Sequence, residues 1–330
     1  MGTASKRVTI NDVARTVGVS RQTVSRALND KGEIDVGTKQ RVLDAARELG
    51  YRPSRFARGL VRQDTTTIGL VIPDLLNPFF TEVAAGALEA ARARGWHVIV
   101  YDTAGSADEE RGTLEVVVSQ VDAVVGYFSL AEADLDAHLS GMPAVLIGRE
   151  HQTPRFSSIR VEGAAGVREA VDHLVSKGHR EIGMLDHAGR SEPSIRRAWF
   201  TDAMNAHGLA ADAVGNALQS VDGGTEALTG LLTEHPELTA VFTFNDIIAI
   251  GALRAARRLG RVVPDDLAVV GFDGLQLGTV VDPALTSVAL DTRRVGALAI
   301  EQAGRLLTGS TPLPSEELLV NAVLLVRESA

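Results

Sequence analysis

Over the first fifty residues, apolar side chains fall at helical spacing. Ile10, Val13, Ala14 and Val17 recur three and four apart, which predicts a short helix with one buried face and Thr9 as its cap. Gly18 then turns the chain, and Ser20 caps a second helix over 21–28 whose Val24, Ala27 and Leu28 face the first. A third helix is expected from Asp35 to Leu49, with Val42, Leu43, Ala46 and Leu49 closing a small core before Gly50. From Ile68 the period changes, and short apolar runs alternate with amphipathic stretches. Strands are expected at 68–72, 96–101, 123–127, 143–147, 181–185, 213–217, 240–244 and 267–271. The helices between them run from Pro78 to Ala93 and over 108–119, 131–140, 163–177, 194–207, 223–234 and 246–259, with a last one near 293–307. That order predicts an α/β body of parallel sheets covered on both faces.

Charge divides the chain in the same place. The 330 residues carry a formal net charge of -9, yet residues 1–63 hold 13 Lys and Arg against 6 Asp and Glu, leaving 20 against 36 for the rest. A basic head on an acidic body is the footprint of a small nucleic-acid reader attached to a sensor. There is no cysteine, which excludes disulfides, thiolate nucleophiles and cysteine-held metals. His173 and His179 flank a turn at Gly178 and read as a helix-end and a loop residue, not a metal pair. No apolar stretch is long enough to span a bilayer, and the first residues lead into a polar helix, so a cytoplasmic protein is expected.

The polar face of the second helix carries the chemistry. Arg21 and Arg26 can each donate two parallel bonds to guanine, and Gln22 matches the donor-acceptor edge of adenine, if a helix carries them into the major groove. Ser20, Thr23, Ser25 and Asn29 are short enough to position the protein on phosphates. In the body, sheets of this kind bind ligands beyond the carboxyl ends of their strands. Asp74, Asn77, Asp102, Arg149, Asp186, Asn245, Asp246 and Asp273 all follow expected strands.

The run from Val8 to Asn29 resembles the DNA-binding head of the lactose/galactose repressor family, and Tyr51-Arg52-Pro53 with Ala57-Arg58-Gly59-Leu60 is similar to its hinge. Val71-Ile72-Pro73-Asp74, Asn77-Pro78-Phe79-Phe80, Asn245-Asp246 and Val269-Val270-Gly271-Phe272-Asp273 look like landmarks of its body. The resemblance implies a helix-turn-helix head with three helices and a two-lobed body like a periplasmic binding protein. Its divisions are 1–50 for the head, 51–63 for hinge helix and linker, 64–161 for the N-terminal lobe and 162–290 for the C-terminal lobe. Residues 291–320 then return to the first lobe, and 321–330 form the final crossing and tail. The chain is expected to cross between lobes near 158–162, near 283–290 and after about 318.

The family pattern implies a non-catalytic repressor without cofactor or metal, a homodimer on double-stranded operator DNA of approximate two-fold symmetry. Leu75, Leu76 and the helix from Pro78 are candidates near its interface. Expected DNA contacts are Thr9, Ser20, Arg21, Gln22, Thr23, Ser25, Arg26 and Asn29, with Ala57, Arg58 and Leu60 from the hinge, Leu60 wedging into the minor groove. Expected effector contacts are Asp74, Asn77, Phe79, Arg149, Arg196, Asn245 and Asp273, around a sugar or related polar metabolite. Three positions depart from the pattern: Gly148 and Glu162 stand where aspartate is common, and Trp199 where glycine is usual. Arg149 and Arg190 leave open an acidic or phosphorylated sugar. Two other classes compete: a periplasmic-type sugar-binding module, which leaves the head unexplained, and an enzyme, for which no dinucleotide, P-loop, nucleophile-elbow or metal motif is present.

Overall fold

The computed structural model describes residues 10–28, 34–49, 65–139, 141–149, 153, 156–188, 193–310 and 318–330. The chain forms two compact units, residues 1–66 and 67–330. In the first, α1 (Ile10–Val17), α2 (Arg21–Leu28) and α3 (Val36–Glu48) close on one another. Gly18 takes a φ of 72°, a turn that a side chain would resist, and reverses the chain between α1 and α2. The Ser20 hydroxyl accepts from the Thr23 amide at 3.1 Å, and Asp35 Oδ2 accepts from the Thr38 amide at 2.9 Å, so the caps expected for α2 and α3 form, while Thr9, expected to cap α1, lies outside the described residues. The core is Val13, Val24, Ala27, Val42, Ala45 and Ala46. On α3 the buried stripe differs from expectation: Ala45 is inside, while Leu43 and Leu49 are half-buried.

The second unit is built on one sheet of eleven strands. They are β1 (Thr67–Ile72), β2 (His97–Asp102), β3 (Ala123–Gly126), β4 (Ala144–Ile147), β5 (Ser157–Glu162), β6 (Ile182–His187), β7 (Val214–Ala217), β8 (Ala240–Thr243), β9 (Ala268–Asp273), β10 (Thr286–Leu290) and β11 (Leu319–Leu325). Their order is β2-β1-β3-β4-β5-β11-β10-β9-β8-β6-β7, parallel throughout except for the β10–β11 pair. The first five strands form one lobe and the last six the other. Two strands belong to both: β5 pairs through Ser157–Ile159 with β4 and through Arg160–Glu162 with β11, whose Ala322–Leu325 then pair with β10. Residues read from the sequence as bare crossings are therefore strands, and β5, β10 and β11 are the three that the apolar pattern did not announce.

Helices cover both faces: α4 (Pro78–Ala93), α5 (Ala107–Val117), α6 (Glu132–Leu139), α7 (Ala164–Ser176), α8 (Ile195–Ala206), α9 (Val221–Glu234), α10 (Asp246–Arg258) and α11 (Thr292–Thr308). A short 3-10 turn, Gln276–Thr279, precedes β10. Although α11 follows β10 in sequence, it packs on α4, β3 and β4 of the first lobe. The approach is close: a Cβ on Gly86 would lie 2.1 Å from the Arg293 carbonyl oxygen, and one on Gly296 would lie 2.0 Å from that of Val83. Ile68, Leu70 and Phe79 of one lobe and Met184, Phe242 and Phe272 of the other belong to a single connected apolar core.

Candidate functional site

On the head, the burial of Val24 and Ala27 leaves Arg21, Gln22 and Arg26 exposed on the opposite face of α2. Thr23 and Ser25 are half-buried beside them. Ser20, Gln22, Thr23 and Arg26 line one hollow with Ile34, Asp35 and Thr38. The start of α2 thus brings together amide donors, a cap hydroxyl and a guanidinium, an arrangement that favours an anionic partner. Thr9, Asn29, Ala57, Arg58 and Leu60 lie outside the described residues.

In the body, polar residues gather where the strands end. Asn77 caps α4, its Oδ1 accepting from the Phe79 amide at 3.1 Å, and Asn245 caps α10, its Oδ1 accepting from the Ile248 amide at 3.0 Å. The Asn245 amide nitrogen is left to donate to Gln219 at 3.1 Å. Asp186, at the end of β6, accepts from the amides of His187 and Ser194 and so fixes the start of α8. In the first turn of that helix, Arg196 donates to the Phe244 carbonyl and, at 3.2 Å, to Asp273. Its guanidinium lies 4.3 Å from the Phe244 ring centre and 3.9 Å from that of Phe272, so both faces are covered.

This pair is deeply placed, with side-chain exposure of 16% for Arg196 and 4% for Asp273. Burial pushes the Asp273 carboxyl up to about 8; the Arg196 charge pulls it down, and nearby Asp246 raises it further. Burial lowers the pKa of Arg196 against the opposing pull of Asp273. Asp246 rises to about 6, also mainly by burial, but its oxygens are held inside the lobe by the Ser287 hydroxyl at 2.6 Å and the Leu275 amide at 2.7 Å. Its role in the structure is to tie α10 to β10.

The other expected contacts are placed differently. Phe79 is buried, edge-on to Phe80 and Tyr127 with ring centres 5.2 and 5.9 Å away. Asp74 accepts from the Leu76 amide at 2.8 Å within its own loop, and Asp102 anchors that loop through the Leu75 amide at 3.0 Å. Arg149 donates to the carbonyls of Phe128 and Leu130 at 3.3 and 2.8 Å. Sequence reasoning passed over Tyr127, Gln219 and Phe244 and named Phe272 only within a family landmark; the signal for Tyr127 and Phe244 was only their position just after a buried strand. Trp199, singled out as a departure, lies against Gly163, where a Cβ would come within 2.3 Å of the indole, and stacks on Phe272 at 6.4 Å. His179 meets the Thr239 hydroxyl at 2.9 Å, and no group of three or more possible metal ligands occurs among the described residues.

A three-helix head that displays arginine and glutamine, joined in sequence to a two-lobed body with polar groups at its strand ends, defines a DNA-binding regulator of the kind that carries a ligand-sensing domain. Residues 9–54 match the family described as bacterial regulatory proteins, lacI family, and residues 171–330 match the periplasmic binding protein-like domain. The chain is 33% identical to catabolite control protein A of Priestia megaterium, over 91% of this chain and 92% of that one. It is also 33% identical to the ribose operon repressor of Halalkalibacterium halodurans, over 88% of each. Among solved structures, the lac repressor dimer bound to operator and the anti-inducer ONPF superposes with a TM-score of 0.73 at 27% identity, covering 98% of this chain and 99% of that one. The cellobiose complex of the regulator CelR gives 0.71 at 29% identity, covering 98% and 100%. The chain belongs to the lacI family of bacterial regulatory proteins, whose work is binding and not catalysis.

Proposed function

We propose that the protein is a cytoplasmic repressor that binds paired, two-fold related half-sites in operator DNA as a homodimer and is released or retained by a sugar or sugar-like effector. The observation that carries this reading is the division of α2, with Val24 and Ala27 buried and Arg21, Gln22 and Arg26 turned to solvent. In the major groove those three read base edges, while Thr9, Ser20, Thr23, Ser25 and Asn29 bond phosphates. Hinge residues Ala57, Arg58 and Leu60, within 51–63, open the minor groove. Exposed Leu75 and Leu76 are apolar surface suited to a partner copy.

The effector sits between the lobes divided at about residue 161, among Asp74, Asn77, Phe79, Arg149, Arg196, Asn245 and Asp273. It acts by favouring one lobe arrangement over another, since a ligand shifts an equilibrium only through its differential affinity. The relatives named for ribose and bound to cellobiose support a sugar.

Genomic footprinting with purified protein, repeated with a panel of sugars, tests the reading. Protected paired half-sites whose occupancy changes with one sugar are expected. Replacing Gln22 with alanine should relax the choice of operator by about 1–3 kcal/mol at its base pair. Equal binding to scrambled duplexes would overturn the proposal.

A further inference from the structure

We infer that Trp199 is a positioning residue that ties the guanidinium of Arg196 to the passage of the chain between the lobes. Gly163 follows Glu162, the last residue of β5, and precedes α7 with a φ of -110° and no side-chain capping bond. That backbone does not require glycine, because ordinary residues adopt negative φ. What excludes a side chain is the indole: a Cβ on Gly163 would lie 2.3, 2.9 and 3.0 Å from Cζ3, Cε3 and Cη2 of Trp199. The half-buried indole therefore fills the space in which a side chain at this crossing would stand.

The start of α7 rests on all three strands that pass between the lobes. It continues β5, and Glu162 Oε1 holds the turn by accepting from the Ala164 amide at 2.9 Å. A Cβ on Gly166 would come within 2.7 Å of the Val288 side chain in β10 and 2.9 Å of the Ala322 carbonyl oxygen in β11. A displacement at Gly163 thus acts on β5, β10 and β11 together. Trp199 reaches Gly163 from α8, where Arg196 stands three residues earlier and so on the same side of the helix. One ring joins the two: Phe272 has its centre 3.9 Å from the guanidinium carbon and stacks with the indole at 6.4 Å and 23°. A shift of Arg196 or Phe272 is therefore delivered by the indole to the crossing. Packed interiors turn such small shifts into a choice between discrete arrangements. That the link carries a signal rests on the proposed effector contact at Arg196.

The chain has no cysteine, so a pair of introduced ones reports on the lobes cleanly. Asp108→Cys on α5 and Thr233→Cys on α9, both exposed, carry spin labels in the full chain, diluted with unlabelled protein so that distances within one chain are read. Trp199→Ala is expected to shift or broaden the lobe-to-lobe distance distribution. Gly163→Ala is expected to shift it while the indole is present, and to lose that effect in the Trp199→Ala background. An unchanged distribution in Trp199→Ala, or an equal shift from Gly163→Ala with and without the indole, overturns the inference. Should Gly163→Ala fail to fold by circular dichroism, Trp199→Ala alone decides. In Trp96→Phe, where Trp199 is the remaining tryptophan, Arg196→Lys should shift the emission, since lysine lacks the planar group that stacks on Phe272. Unchanged emission breaks the link to Arg196. No sugar or DNA enters these measurements. A protein whose footprint answers to a sugar while its labels ignore Trp199→Ala keeps the functional reading and loses this inference; one that shows both shifts and no sugar-dependent footprint keeps the link and loses that reading.

Discussion

Asp273 concentrates the chemistry of the body in one residue. It ends β9 with a φ of 115°, outside the range that most side chains adopt, and is followed by Gly274 at 73°. That backbone aims its carboxyl at Arg196 instead of along the strand. Its raised pKa makes a pH prediction whose sign is fixed by linkage. The folded protein keeps the Asp273 proton up to about 8, whereas the ordinary carboxyl loses it near 3.8, so stability is greatest below that lower value and declines as pH rises through the higher one. Asp246 follows the same rule only up to about 6, which leaves the interval from pH 6 to 8 to Asp273 of the two. His179, whose pKa is lowered by burial and by His173, acts in the opposite sense and only below its ordinary 6.5. Thermal melts of the wild type should therefore show a falling midpoint from pH 7 to 8, with a slope of at most about 1.4 kcal/mol per pH unit. Asp273→Asn should flatten that slope, and an unchanged slope would show that the carboxyl is already ionised there.

Among the elements, the crossing of α4 and α11 is the most demanding contact. Its helices approach until Gly86 and Gly296 each face a carbonyl of the other helix, so no side chain larger than hydrogen fits. Gly296→Val is expected to destabilise the body by about 1–3 kcal/mol through overpacking, seen as a lower denaturant midpoint with unchanged slope. Gly112 on α5, which faces open space, provides the contrast: Gly112→Ala should be neutral or gain about 0.4–1 kcal/mol. The sequence showed which elements exist wherever periodicity was strong, as in α10, where Ile248, Ala249, Ala252 and Ala256 recur on one buried face. It was silent on β5, β10 and β11; in β5, Ser157-Ser158-Ile159-Arg160-Val161-Glu162 mixes polar and apolar positions without a clean period, and its pairing with β11 reaches a partner more than a hundred residues away. The candidate site was legible for the same reason in part only. Asn77, Asn245 and Asp273 follow strands in a recognisable order, but nothing local marks the hydroxyl of Tyr127 as unpartnered among the described residues or the faces of Arg196 as covered.

Across the whole molecule, the continuous core and the two shared strands make the body one cooperative object. Its two tryptophans stand in different lobes: Trp96 lies against Gly304 of α11, and Trp199 lies against Gly163 and Phe272. Fluorescence from Trp96→Phe and Trp199→Phe variants, each reporting the tryptophan that remains, should give the same urea midpoint once each is corrected for its own calorimetric stability. Separate midpoints would mean that the lobes unfold independently in spite of β5 and β11.

The threading of β5, β10 and β11 bears on how such a protein can be recombined. Neither lobe is a contiguous stretch of sequence, because α11 belongs to the first lobe while the strands on either side of it in sequence pair in the second. A graft that replaces one lobe needs a seam at every passage and must match three backbones at once. The head, in contrast, is one contiguous unit that ends at Thr66, so a single seam before Thr67 is expected to exchange it in one step while the sensor travels only as an intact piece.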